Sequence, residues 1–219
     1  MRDIYHEQLD SIGHTLVEMA GLVGSALERA TTALLEADLV TAEAVIAADD
    51  AVDALQKELD VRTLDLIARQ QPVAGDLRTL VTSLRMSADL ERMGDLARHV
   101  AKIARMRYPE TAIPEELRAT VERMGHIGVA LAEKLGQVIE GRDLDTARTL
   151  ETDDDAVDRL HRAVFTALTS AKEPYPIETA IDVTLISRYY ERFADHAVSV
   201  ANRLIFLVTG DEEAAATVA

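Results

Sequence analysis

Cysteine is absent from the 219 residues, so neither a disulfide nor a thiolate metal site is available to this chain. Glycine and proline are scarce, at ten and five residues, and no Asn-Gly hairpin signal occurs, which argues against β-sheet. Aromatic residues make up only 4% of the chain, while Ala and Leu are abundant, as helices favour. Positive charge is in deficit: 23 Lys and Arg face 39 Asp and Glu, for a formal charge of −16. That balance excludes a phosphate-backbone binder, which needs clustered cations to displace counterions, so no nucleic-acid partner is expected. Anionic lipid surfaces would repel it as well. Long hydrophobic runs are missing too. "LIFLV" at 204–208 is far too short to span a bilayer, and "MRDIYHEQLD" lacks the apolar core of a secretory signal. The expectation is a cytoplasmic protein with no direct membrane insertion. No Gly-rich phosphate loop, nucleophile elbow or His-Glu-x-x-His is found, so no enzyme is expected.

An internal repeat organises what is there. "DLVTAEAVIAADDAVDAL" begins at Asp38 and "DLDTARTLETDDDAVDRL" at Asp143, a shift of 105 residues. Each copy reads as three helices. In the first, a helix over residues 3–36 carries Leu9, Ile12, Leu16, Met19 and Val23 on one stripe. Asp38 is suited to cap a second helix that runs to Arg69, with Val45, Val52, Leu59 and Leu66 spaced by seven. "QQPVAGD" breaks it, because proline is excluded from a helix interior, and a third helix follows to Tyr108. The second copy repeats the pattern near 114–140, 143–172 and 176–209, broken at Gly141 and at "EPYP". The fold expected is all-α: two pseudo-repeated three-helix bundles, residues 1–109 and 110–219, with six long helices packed side by side. The acidic tail "GDEEAAATVA" is expected to fray.

The third helix poses a chemical question. Leu77, Leu80, Val81, Leu84 and Ala88 recur at three- and four-residue steps and read as a buried stripe, which then continues into Glu91 and Asp95. Glu191 and Asp195 repeat that pair in the second copy, and the second helices add Asp49 with Asp53 and Asp154 with Asp158. All four pairs are spaced i, i+4, on one helix face. Folding each second and third helix into an antiparallel hairpin makes the pairs meet. Asp53 with Glu91, and Asp49 with Asp95, both centre on residue 72; Asp158 with Glu191, and Asp154 with Asp195, both centre between 174 and 175. Equal path lengths from the turn bring them level.

Four converging carboxylates raise one another's pKa and demand compensation by cations or protons. Oxygen-only ligation suits Mg²⁺, Mn²⁺, Ca²⁺ or iron, and carboxylates also bridge di-metal centres in helical bundles. A competing reading is an ion-pair network in which Arg85, Arg92 and Arg192 neutralise the acids. A third is a carboxylate-bridged di-metal enzyme, an oxidase or phosphoesterase. His99, His161 and His196 read as surface or polar-core residues, not ligands.

"ARQQPVAGDLR" at 68–78, "DLERMGDLARHVAKIA" at 89–104 and "YYERFADHAVSVANRLIFLVTG" at 189–210 resemble the PhoU family of phosphate-transport accessory and regulatory proteins. Phe193 and Ala194 depart from the stricter motif that Met93 and Gly94 keep, which puts equal affinity of the two sites in question. The resemblance implies metal sites at Asp49, Asp53, Glu91 and Asp95 and at Asp154, Asp158, Glu191 and Asp195. The implied cofactor is a divalent or iron-type ion (magnesium, manganese, iron or zinc), single or multinuclear. It further implies a homodimer that represses the phosphate-starvation response and phosphate uptake, through a phosphate ABC transporter and a sensor histidine kinase.

Overall fold

The structure, a computed structural model, describes residues 2–171 and 174–211. The fraying expected of the acidic tail falls mostly on residues 212–219, outside that range. Among the described residues six helices follow one another: α1 (Arg2–Glu36), α2 (Leu39–Gln70), α3 (Ala74–Arg107), α4 (Glu115–Gly141), α5 (Leu144–Ser170) and α6 (Ile177–Thr209). No strand occurs among the described residues, and no described helix is long and apolar enough to cross a membrane.

The helix ends have the causes the sequence suggests. The Asp38 carboxylate accepts from the Thr41 amide at the start of α2. Asp143 does the same at α5, accepting from the amides of Asp145 and Thr146. Both satisfy backbone donors that have no partner inside the helix. At the other end of α2, Gln71 turns left-handed at φ 47° and its amide returns to the Ile67 carbonyl, so the chain reverses through Pro72 into α3.

α1, α2 and α3 pack on one another as one hairpin-rich unit, and α4, α5 and α6 as its repeat. α1 also packs on α4, and α3 on α6, so the buried apolar side chains of both repeats form one continuous core. Val45, Val52, Leu59 and Leu66 are all buried in it, as are Ile12, Leu16, Met19 and Val23. The α1–α4 contact is close because α4 is bare at two positions. A Cβ on Gly125 would lie 2.6 Å from Thr31 Cγ2, and one on Gly128 would lie 2.5 Å from Leu27 Cδ2. Tyr190 of α6 reaches across the same seam, its hydroxyl 2.7 Å from that of Thr31, and burial pushes its pKa up.

The α3–α6 contact is antiparallel, since His99 meets Tyr189 while Asp89 meets His196. Ion pairs pin both ends of the crossing. Arg107 of α3 donates through Nε to the buried Asp182 of α6, and Arg203 of α6 donates through Nε to Asp89 of α3, 2.5 and 2.7 Å respectively.

One expectation fails. Leu77, Val81 and Ala88 are exposed, and of the expected α3 stripe only Leu80 is fully buried. The face that enters the core is Leu80, Met86, Leu90, Met93, Ala97, Val100 and Ala104. Glu91 and Asp95 flank it, half-buried, where α2 closes over the edge. A helix packed against three neighbours buries a wide arc, and the pattern of threes and fours follows its margin as easily as its centre.

Candidate metal centre

The two hairpins bring the expected acids together. In the first, Asp49 is buried, while Asp53, Glu91 and Asp95 are half-buried. The backbone of α3 lies tight against Asp49, for a Cβ on Gly94 would come within 3.2 Å of its Oδ1. Desolvation raises the pKa of Asp49, Arg98 opposes the rise, and Asp95 and Asp53 add to it. Glu91 is raised by desolvation and by Asp95, with Asp53 contributing and Arg92 opposing. The couplings of 49 with 95 and of 53 with 91 are those that equal path length from residue 72 predicts.

This first cluster carries its own cation. Arg98 Nη1 stands 2.7 Å from Asp49 Oδ2, and Nη2 of the same guanidinium donates to Asp95 Oδ1. Arg92 adds contacts of 3.1 Å to Asp95 and 3.7 Å to Glu91, and Lys57 stands 3.5 Å from Asp53. Among the candidate neutralisers, Arg92 takes that role, but the bridging residue is Arg98, which sequence reasoning missed. Its signal was available: Arg98 follows Asp95 by three, and its counterpart in the second copy is Val198.

The second cluster has no such bridge. Glu191 is buried, Asp154 and Asp158 are half-buried and Asp195 is exposed. Arg188 donates to Glu191 Oε1 from three residues earlier on α6, and Arg162 stands 3.7 Å from Asp158. Asp154 Oδ1 and Glu191 Oε2 are buried and accept no hydrogen bond. Asp49 Oδ2 also lacks a well-directed hydrogen bond, but there the Arg98 charge is in contact. Desolvation, then Asp195, Asp158 and Glu191, push Asp154 up to about 7. Glu191 is raised by desolvation and Asp195, and Asp195 by desolvation and Asp158, each against Arg188.

The histidines stay out of both clusters. His161 Nδ1 is 3.0 Å from Ser187 Oγ and its ring meets Phe165 edge-on. His99 packs on Tyr189, and His196 Nδ1 is 3.1 Å from Asp89. Burial lowers the pKa of His99 and His161.

Among the described residues no group of three or more Asp, Glu or His side chains is arranged to hold a metal ion as it stands. The fit of a metal is decided by charge and by carboxylate oxygens left without partners. In the second cluster two buried carboxylate oxygens lack a donor and the acids repel one another, which is the environment a hard cation relieves. In the first, Arg98 already supplies the charge.

The chain matches the PhoU domain family twice, over residues 16–104 and 121–204. It is 49% identical over 210 residues to the phosphate-specific transport system accessory protein PhoU homolog 2 of Mycobacterium tuberculosis, covering 96% of this chain and 99% of that one. PhoU homolog 1 of Mycobacterium leprae is 45% identical, over 96% of this chain and 95% of its own length. The crystal structure of PhoU from Pseudomonas aeruginosa superposes with a TM-score of 0.83 at 27% identity, covering 94% of this chain and 100% of that one.

Proposed function

Because this chain belongs to the PhoU family, we propose that it is an accessory regulator of a phosphate-specific transport system. The observation that carries this is the near end-to-end identity with proteins named for that role, 49% over 96% of the chain. In this reading the protein is an adaptor and not an enzyme, and acts on the cytoplasmic side. It restrains phosphate uptake and the starvation response by contacting the transporter and a sensor histidine kinase. An acidic helical body suits docking onto basic partner surfaces, where complementary charge sets specificity and association rate.

The same proposal includes a metal. Asp154, Asp158, Glu191 and Asp195 would hold it, between α5 and α6. A bound divalent or iron-type ion supplies the positive charge that lets these four acids ionise together and ties the two helices. Asp49, Asp53, Glu91 and Asp95 would take one only by displacing Arg98.

Deletion of the gene tests the regulatory role. Starvation transcripts and phosphate uptake should rise in phosphate-replete medium, and unchanged levels of both would reject it. Elemental analysis of protein purified without chelator tests the metal. Ions retained by wild type and lost in Glu191→Gln support the second cluster, and equal content in both proteins refutes it.

A further inference from the structure

We infer that the cleft between α3 and α6 binds a phosphoryl anion. The cleft has a volume of about 580 Å³ and lies where the two repeats cross. Three arginines line it, Arg92 from α3 and Arg188 and Arg192 from α6, together with His99 and His196. Asp95 is the one carboxylate among its lining residues. Arg92 and Arg192 are counterparts in the repeat, 100 residues apart, so each half contributes the same guanidinium to one space.

The chain carries −16 overall, which makes this concentration of cations a local exception. At physiological salt the field of distant acids is screened beyond roughly 8 Å, so an anion in the cleft responds to the groups that line it and to the acids in contact with them, Glu91, Glu191 and Asp89. Arg92 and Arg188 each contact a carboxylate of their own helix. Arg192 is exposed and makes no close ion pair among the described residues; its charge opposes the raised pKa of Glu191 and Asp195, but its planar fork of donors is open to a ligand. Guanidinium forks match tetrahedral oxyanions two bonds at a time, and uncharged imidazoles such as His99 still donate one. The volume admits orthophosphate with its water or the polyphosphate arm of a nucleotide, with the Tyr189 ring on the wall. That the ligand reports phosphate supply rests on the regulatory role proposed above; the chemistry of the cleft does not.

Titration calorimetry on the full chain, freed of metal by chelation, tests the inference with sodium phosphate, ATP and sodium acetate in separate arms. Saturable binding in the phosphate arm identifies the free anion, and binding in the ATP arm alone identifies a nucleotide. Either is expected to weaken at least tenfold in Arg192→Ala and in Arg92→Ala. Arg159→Ala, on the exposed side of α5, is expected to bind as wild type does. Circular dichroism melts confirm that the variants fold. No heat with phosphate or ATP, affinity unchanged in Arg192→Ala, or acetate bound as tightly as phosphate each overturns the inference. If anion binding fails while gene deletion still derepresses starvation transcripts, the cleft inference falls alone. If the anion binds and deletion changes nothing, the regulatory role falls alone.

Discussion

The two carboxylate clusters descend from one repeat and solve the same electrostatic problem differently. Each sets an Asp pair on one helix against a Glu–Asp pair on the next. In the α2–α3 hairpin a guanidinium from Arg98 lies between Asp49 and Asp95. In the α5–α6 hairpin the equivalent position is Val198, and Asp154 and Glu191 each keep a buried oxygen without a donor. The cations have moved between the copies: Arg98 bridges two acids of the first, whereas Arg188, whose counterpart is Ala88, reaches only Glu191 and leaves Asp154 without a partner. Duplicated motifs with identical acids need not share a ligand, because the groups beside the acids decide whether one is required.

The largest expected effect comes from making the first cluster resemble the second. Arg98→Val leaves Asp49, with only 5% of its side chain exposed, facing Asp95 without a counterion. Removing one partner of a buried pair costs about 3–5 kcal/mol, read as a lower midpoint in urea denaturation. Part of the loss should return on adding Mn²⁺ if the vacated acids accept an external cation. A midpoint equal to wild type would show that the Arg98 bridge contributes nothing.

Next in size is the response of the native protein to metal. A cation that binds only the folded state raises stability by about 2.7 kcal/mol at a hundred times its Kd. Melting of chelated protein with added Mg²⁺, Mn²⁺ or Fe²⁺ should show that gain in wild type and in Glu91→Gln but not in Glu191→Gln. Val198→Arg sharpens the contrast, since an arginine there would bridge Asp154 and Asp195 and remove the response to metal. Equal losses in Glu91→Gln and Glu191→Gln would erase the distinction between the copies.

Much of this was legible in the sequence. The caps at Asp38 and Asp143 locate two helix starts, and path length from Pro72 pairs Asp49 with Asp95 and Asp53 with Glu91, because both follow from local backbone geometry. The stripe through Leu77, Val81 and Ala88 misled, since amphipathic spacing fixes a face but not how far the neighbouring helices wrap around it. The cleft was invisible for a different reason. Arg92 and Arg192 are brought together by the antiparallel crossing of α3 on α6, and nothing local in either helix encodes that contact. Arg98 lay between these extremes, visible as a mismatch between the copies but not as a bridge until α2 is placed beside it.

The smallest effect, and the one that isolates the second cluster, is its response to pH. The Asp154 pKa is raised from 3.8 to about 7, by burial first and its neighbouring acids after. Between those values the folded protein holds a proton that the unfolded chain releases. The stabilising contribution is therefore complete below pH 3.8 and is lost as pH rises through about 7. Solvent reaches the half-exposed site and screens it, leaving about 1–2 kcal/mol between pH 5 and pH 8. Metal-free wild type should accordingly melt lower at pH 8 than at pH 5.5. Asp154→Asn, which carries no charge at either pH, should flatten that slope and raise the pH 8 melting temperature. Asp89 has the opposite sign and a separate window. Although burial works against it, the His196 and Arg203 contacts hold it below its ordinary 3.8, so its contribution disappears only as the solution becomes strongly acid. A slope between pH 5.5 and 8 that survives unchanged in Asp154→Asn would show that the second cluster is not short of positive charge, and the contrast with the first would fail.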